Sequence, residues 1–261
     1  MGDETGHPEQ AEQAITPRAT SMLFVAPVHG IADGTLVGGT IGLMRPGGSW
    51  DVDAEGTGTG AAGEWRLAAA CFEAAGWNAA LAQRAATARL PVSVAMPAGL
   101  HWRSALPMQV QAALQHSSLP ADLLELRLSG RLLQAADAQG LAALRAVREL
   151  GAGLSMPCDG DEGQGLQIDR RLPATTCRLP AALVSSLASD GAARAQAAWL
   201  IEAAHGQGAR VVAAGVETAA QREILGELGC DAGQGSLFGQ AMPADLFRAC
   251  LWPSLGPRPA G

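Results

Sequence analysis

Residues 208–247 constrain the fold of this chain more than any other stretch; they read GARVVAAGVETAAQREILGELGCDAGQGSLFGQAMPADLF. A β-branched pair at Val211 and Val212 runs into Gly215, a helix then opens and closes at Gly229, and a glycine-rich strand end follows. The order is strand, helix, strand. Thr218 followed by Gln221 is a capping-box spacing, because the Thr hydroxyl accepts the N–H three residues on while the Gln amide reaches back to the Thr N–H. Ile224, Leu225 and Leu228 form one apolar stripe, and Gly229 supplies the left-handed position that ends a helix.

The rest of the chain repeats this alternation. Residues 21–27 (SMLFVAP) and 35–43 (TLVGGTIGL) read as strands joined by the turn Ala32-Asp33-Gly34, a hairpin. Residues 45–63 lack periodicity and read as loop, and 65–77 carries Leu67, Cys71 and Ala74 at helical spacing. Further strands are expected at 91–96, at LLELRLSG from Leu123, near 153–156 and at 175–179, with helices near 104–115, 139–150 and 192–204. In the second of these strands Leu124, Leu126 and Leu128 alternate with Glu125 and Arg127, the period of two that a strand imposes. Strands alternating with helices imply a parallel sheet with helical crossovers. Periodicity alone leaves a closed barrel and an open doubly wound sheet as alternatives.

At 261 residues the length suits one α/β domain. Residues 1–20 are acidic, polar and without an apolar core, so they read as a disordered tail, with the domain over 21–252 and a C-terminal tail at 253–261. Hydrophobic residues make up 48% of the chain but form no run long enough to span a bilayer, so a membrane role is not expected. The 18 basic residues are scattered and the net charge is −7, which argues against nucleic-acid binding. Five cysteines without CxxC spacing suit reduced thiols in a cytoplasm. No lysine occurs, which excludes lysine-amine chemistry.

The phrases VVAAGVET and LGCDAGQGSLF in this segment resemble VVAEGVET and LGCDxGQGYLF of bacterial EAL domains, which hydrolyse cyclic di-GMP. The resemblance is strong after Gly208, moderate over 90–190 and weak before that, and it implies a TIM-like (β/α)8 barrel with an irregular first strand. Such a barrel carries its site at the C-terminal strand ends. In the family, a glutamate, an asparagine, a second glutamate, paired aspartates and a third glutamate hold two divalent cations. The matching positions here carry Thr40, Ala95, Arg127, Pro157 with Cys158, and Ala214. The family's phosphate-binding arginine falls on Met44, with Arg45 next to it, a loop-bracing glutamate falls on Gly130, and the lysine and aspartate of a KID motif fall on Arg178 and Pro180. Only Glu217 and Gln234 match.

Hard cations need oxygen ligands, so Ala, Pro and Thr in place of carboxylates leave no metal cage, and Arg127 adds a repelling charge. The expectation is no metal, no cofactor and no phosphodiesterase activity. The leading reading is a regulatory module of cyclic di-GMP-related signalling that binds an unidentified protein. The alternative is a metal-independent cyclic di-GMP receptor using Glu217 and Gln234 with Arg45, Arg127 or Arg178, and an active enzyme is third. A structural role for Glu217, at a helix start, and for Gln234, bonding backbone between strands, competes with a vestigial nucleotide site. Asp159–Gly163 packs three acids into five residues, but Arg170 stands where a calcium loop needs its last glutamate, so a solvated loop is expected. The histidines lie apart without metal-ligand spacing, and Trp65 and Trp199 sit in helical patterns as packing residues.

Overall fold

The structure, a computed structural model, describes residues 23–44, 50–51, 61–83, 85, 88–96, 102–158, 160–161, 165–166 and 172–251. The chain opens with β1 (Leu23–Gly30), β2 (Leu36–Met44), the short β3 (Trp50–Asp51), α1 (Ala61–Ala82), β4 (Val92–Ala95) and α2 (Trp102–Ser117). It continues through β5 (Leu124–Arg127), α3 (Gly130–Gln134), α4 (Ala138–Glu149), β6 (Gly153–Pro157), β7 (Gly160–Asp161), β8 (Gly165–Leu166), β9 (Thr176–Leu179), α5 (Ala181–Ser186) and α6 (Gly191–His205). The last part is β10 (Arg210–Ala214), α7 (Ala219–Glu227), β11 (Ala232–Gln234), β12 (Met242–Pro243) and α8 (Ala244–Cys250).

Eight of these strands close a ring in the order β1-β11-β10-β9-β6-β5-β4-β2, with β2 returning to β1. All neighbours run parallel except β1, which is antiparallel to both β2 and β11. The sheet is therefore a closed (β/α)8 barrel with an irregular first strand, as the resemblance implies, and the open-sheet alternative falls. A register shift between Val28 and His29 marks the hairpin where β1 turns against its neighbours.

The alternation seen in LLELRLSG sorts residues between two environments. Leu124 and Leu126 are buried in the apolar layer between strands and helices, which also receives Leu141, Leu144 and Val147 of α4, a stripe at helical spacing. Each such side chain contributes about 1.5–3 kcal/mol on burial. Glu125 and Arg127, of opposite parity, are also buried, with 6% and 5% exposure. Their parity takes them into the barrel instead.

Several boundaries differ from the sequence reading. The β5 strand stops at Arg127, because the Ser129 hydroxyl accepts the Leu132 N–H at 3.2 Å and caps α3, which begins at Gly130. Within the expected loop 45–63, β3 pairs with β2 and α1 begins at Ala61; the rest of that loop lies outside the described residues. Gly160 and Asp161 pair with Gly165 and Leu166 as a small antiparallel ribbon rather than an unpaired loop. Asp159, Glu162 and Gly163 are outside the described residues, as are the tails at 1–20 and 253–261 and residues Arg45, His101 and Arg170. Pro107 is accommodated inside α2, and α5 and α8 are short helices that periodicity over so few residues does not reveal.

Candidate functional site: the polar interior of the barrel

The segment 208–247 builds one wall of this interior. Strand β10 is followed by Gly215, whose φ of 71° lies in the left-handed region and whose Cα approaches Ala181 so closely that a Cβ would sit 2.7 Å from the Ala181 Cβ. Only glycine fits both conditions. The chain then enters α7 through the expected capping box. Thr218 Oγ1 accepts from the Gln221 N–H at 3.2 Å, and Gln221 Oε1 accepts from the Thr218 N–H at 3.0 Å and the Glu217 N–H at 2.7 Å. Leu225 fills the core and Gly229, with φ of 77°, ends the helix.

Beyond the helix, β11 pairs Ala214 with Gln234, and the Val216 N–H donates to the Gln234 carbonyl at 3.0 Å. A Cβ on Gly235 would lie 2.2 Å from the Val216 oxygen. The glycines of GQG thus let two backbone segments cross at the C-terminal end of the barrel, a packing role rather than a phosphate loop.

Two polar clusters occupy the interior. In the first, Gln234 Oε1 accepts from Thr40 Oγ1 at 2.9 Å and from Arg178 Nη2 at 3.1 Å. Thr40 is fully buried and Gln234 is 6% exposed. The expectation that Gln234 bonds backbone through its side chain is corrected: its amide oxygen serves two side chains from β2 and β9. In the second cluster, Glu125 Oε2 accepts a short hydrogen bond from Thr176 Oγ1 and an ion-pair contact from Arg210 Nη2 at 3.4 Å, while Arg210 Nε donates to Thr176 Oγ1 at 3.0 Å. Thr176 and Arg210 open β9 and β10 and are register partners, which places this cluster at the N-terminal end of the strands. Sequence reading missed it. The available signal was parity, since Thr176 with Arg178 and Arg210 with Val212 take the same inward positions as Glu125 with Arg127.

The remaining candidates fall in different places. Arg127 lies beside Ala95 on β4 and Ser155 on β6, buried in the upper half of β5. Pro157 pairs with Arg178, and the Cys158 N–H donates to the Arg178 carbonyl at 2.8 Å. Glu217 is exposed ahead of α7, so the structure does not gather it with Gln234 inside the barrel. The thiols of Cys71 and Cys230 are pushed up to about 12 by burial, which keeps them protonated and unreactive. His29 stacks on Phe238 at 5.2 Å between ring centroids, and His205 Nε2 lies 2.8 Å from Asp231 Oδ2, which also accepts the Val211 N–H. Among the described residues no three His, Cys, Asp or Glu side chains gather as a metal site, and no helix is long and apolar enough to cross a membrane.

A closed (β/α)8 barrel whose first strand runs antiparallel, with a GQG crossing at the C-terminal mouth, defines the class. Within it, the chain belongs to the EAL domain family, whose pattern matches residues 55–241. It is similar to the bifunctional diguanylate cyclase/cyclic di-GMP phosphodiesterase MucR of Pseudomonas aeruginosa, 32% identical over 140 residues that cover 54% of this chain and 20% of that protein. It is also similar to the oxygen sensor protein DosP of Escherichia coli, 27% identical over 184 residues that cover 70% of this chain and 22% of that protein. The chain thus spans about a fifth to a quarter of the length of these curated relatives. Among solved structures, the EAL domain of Mycobacterium smegmatis DcpA superposes with a TM-score of 0.72 at 18% identity, covering 91% of this chain and 98% of that one.

Proposed function

We propose that this EAL domain is catalytically inactive and acts as a regulatory module that binds a protein partner in cyclic di-GMP-related signalling. The observation that carries the reading is the engagement of Gln234 Oε1 by the Thr40 hydroxyl and the Arg178 guanidinium. Family hydrolysis relies on two divalent cations held by oxygen ligands. The described residues at the corresponding positions do not fit such a pair: Thr40, Ala95, Arg127, Pro157 and Ala214 bring no carboxylate, and the Arg178 guanidinium adds positive charge beside Gln234 Oε1. The described residues therefore supply no activated water, and we derive no catalytic step.

The test incubates purified protein with cyclic di-GMP and Mg²⁺ or Mn²⁺ and separates the nucleotides by chromatography. Intact substrate is expected; metal-dependent conversion to a linear product would overturn the proposal. The signalling role is checked by native affinity capture against a barrel variant that unfolds the mouth, with recovery of one stoichiometric partner lost in the variant as the expected result.

A second reading, metal-independent binding of cyclic di-GMP, is favoured by one feature. With Oε1 fixed as acceptor, the Gln234 amide keeps its N–H donors, and the half-buried Arg178 stands next to it. Titration calorimetry in the presence of a chelator separates the readings, since only the receptor gives saturable heat.

A further inference from the structure

Between the two clusters lies a partly open space of about 10 Å³, lined by Thr40 and Arg178 from the upper cluster, Glu125 and Arg210 from the lower, and Ser93. Ser93 is 7% exposed and its hydroxyl finds no hydrogen-bond partner among the described residues. It sits on β4 in register with Thr40 on one side and Glu125 on the other. A buried hydroxyl left without a partner is destabilising, so native interiors satisfy such groups with protein or with ordered water.

We propose that this space is a binding site for one ordered water molecule, held by the Ser93 hydroxyl and shared by the two clusters. Size and chemistry select this occupant. A water needs roughly 10–15 Å³ of such room and two to four polar neighbours, and the space meets the lower bound. The lining also offers both a carboxylate acceptor, Glu125, and guanidinium donors, Arg178 and Arg210. An anion would sit against Glu125 and a cation against two arginines, whereas a neutral molecule that donates and accepts opposes neither. The water joins Thr40, Arg178 and Gln234 at the mouth to Glu125, Thr176 and Arg210 at the base. The polar groups then form one column through the barrel, so the mouth is held in place from below as well as from its own strands. The inference stands independently of the proposed function, because it concerns the interior beneath the mouth.

The test is a crystal structure of the unmodified chain at a resolution that shows ordered solvent, with a second crystal soaked in sodium bromide. The expected result is one peak of water-like density within hydrogen-bond distance of Ser93 Oγ and of a second polar wall atom, with no anomalous signal after the soak. Absence of density, or a Ser93 hydroxyl bonded directly to protein, would overturn the proposal. An anomalous bromide peak there would also overturn it, in favour of an anion site.

Discussion

Replacing Arg210 by methionine tests whether the interior is held by charge. The Glu125 side chain is 8% exposed and that of Arg210 40% exposed, with 3.4 Å between Nη2 and Oε2. Arg210→Met leaves the carboxylate with Thr176 as its remaining bonded side chain and removes the Nε bond to the Thr176 hydroxyl. A buried pair broken on one side costs about 3–5 kcal/mol. The exposure of Arg210 screens the interaction, so the lower value for a charged hydrogen bond, about 2 kcal/mol, is expected. For a chain of this size that is a fall in Tm of roughly 4–8 °C. In the Glu125→Gln background the acceptor is neutral and its bond to arginine about half as strong, so the same replacement costs about 1 kcal/mol. The coupling between the two positions is therefore about 1 kcal/mol in a double-mutant cycle, read from urea unfolding followed by tryptophan fluorescence. Additive effects, or an Arg210→Met variant as stable as the parent, would refute the claim that this pair fastens the base of the barrel.

Four further outcomes follow from the geometry. Gly235→Ala drives a Cβ to 2.2 Å from the Val216 carbonyl oxygen, so the variant loses at least about 3 kcal/mol in chemical denaturation. Thr218→Ala removes the capping box from α7 and costs about 1 kcal/mol by the same measurement. Burial, then the nearby Arg222 charge, holds the His29 pKa below its usual 6.5. The unfolded chain therefore takes up this proton first; the contribution is fully present above pH 6.5 and declines as pH falls towards the folded value, and His29→Phe flattens that part of the stability profile. Because Thr40 and Arg178 already engage Gln234 Oε1 without a cation, adding Mg²⁺ or a chelator leaves the Tm unchanged in calorimetry.

The elements most readable from sequence were those whose local signals agree. Thr218, Gln221 and Gly229 fix α7 by chemistry that spans a single helix, and the Leu124–Leu128 alternation fixes the parity of β5. Closure of the barrel was not readable this way, because the pairing of β1 with β11 joins residues about two hundred positions apart and rests on no local pattern. The candidate site divides likewise. Gln234 was found through its motif, but its partners Thr40 and Arg178 lie on strands that only the barrel brings together. Glu217 was chosen beside Gln234 in sequence, yet the start of α7 carries it to the surface while β11 carries Gln234 inward. The lower cluster was missed because Glu125, Thr176 and Arg210 match no motif and each begins or nearly begins a strand, where a polar residue looks like a loop boundary.

The arrangement of the interior bears on why a barrel of this family would persist without catalysis. Carboxylates gathered to hold cations repel one another when the cations are absent, so a catalytic mouth stores destabilising charge that only ligand relieves. Here Thr40 and Arg178 donate to Gln234, and Arg210 and Thr176 donate to Glu125, so these two acceptors are met within the protein without a cation. On the proposed function, the substitutions that remove the metal ligands also remove that repulsion. The stability so retained does not depend on nucleotide or metal, which lets the surface of the barrel be displayed to a partner whatever the state of the mouth. The second reading makes a different demand, because a receptor must gain ligand contacts at the Gln234 amide N–H groups and at Arg178 on binding. The thermal shift on adding cyclic di-GMP with chelator present therefore discriminates between the two: none for a constitutive module, and a rise that saturates with ligand for a receptor.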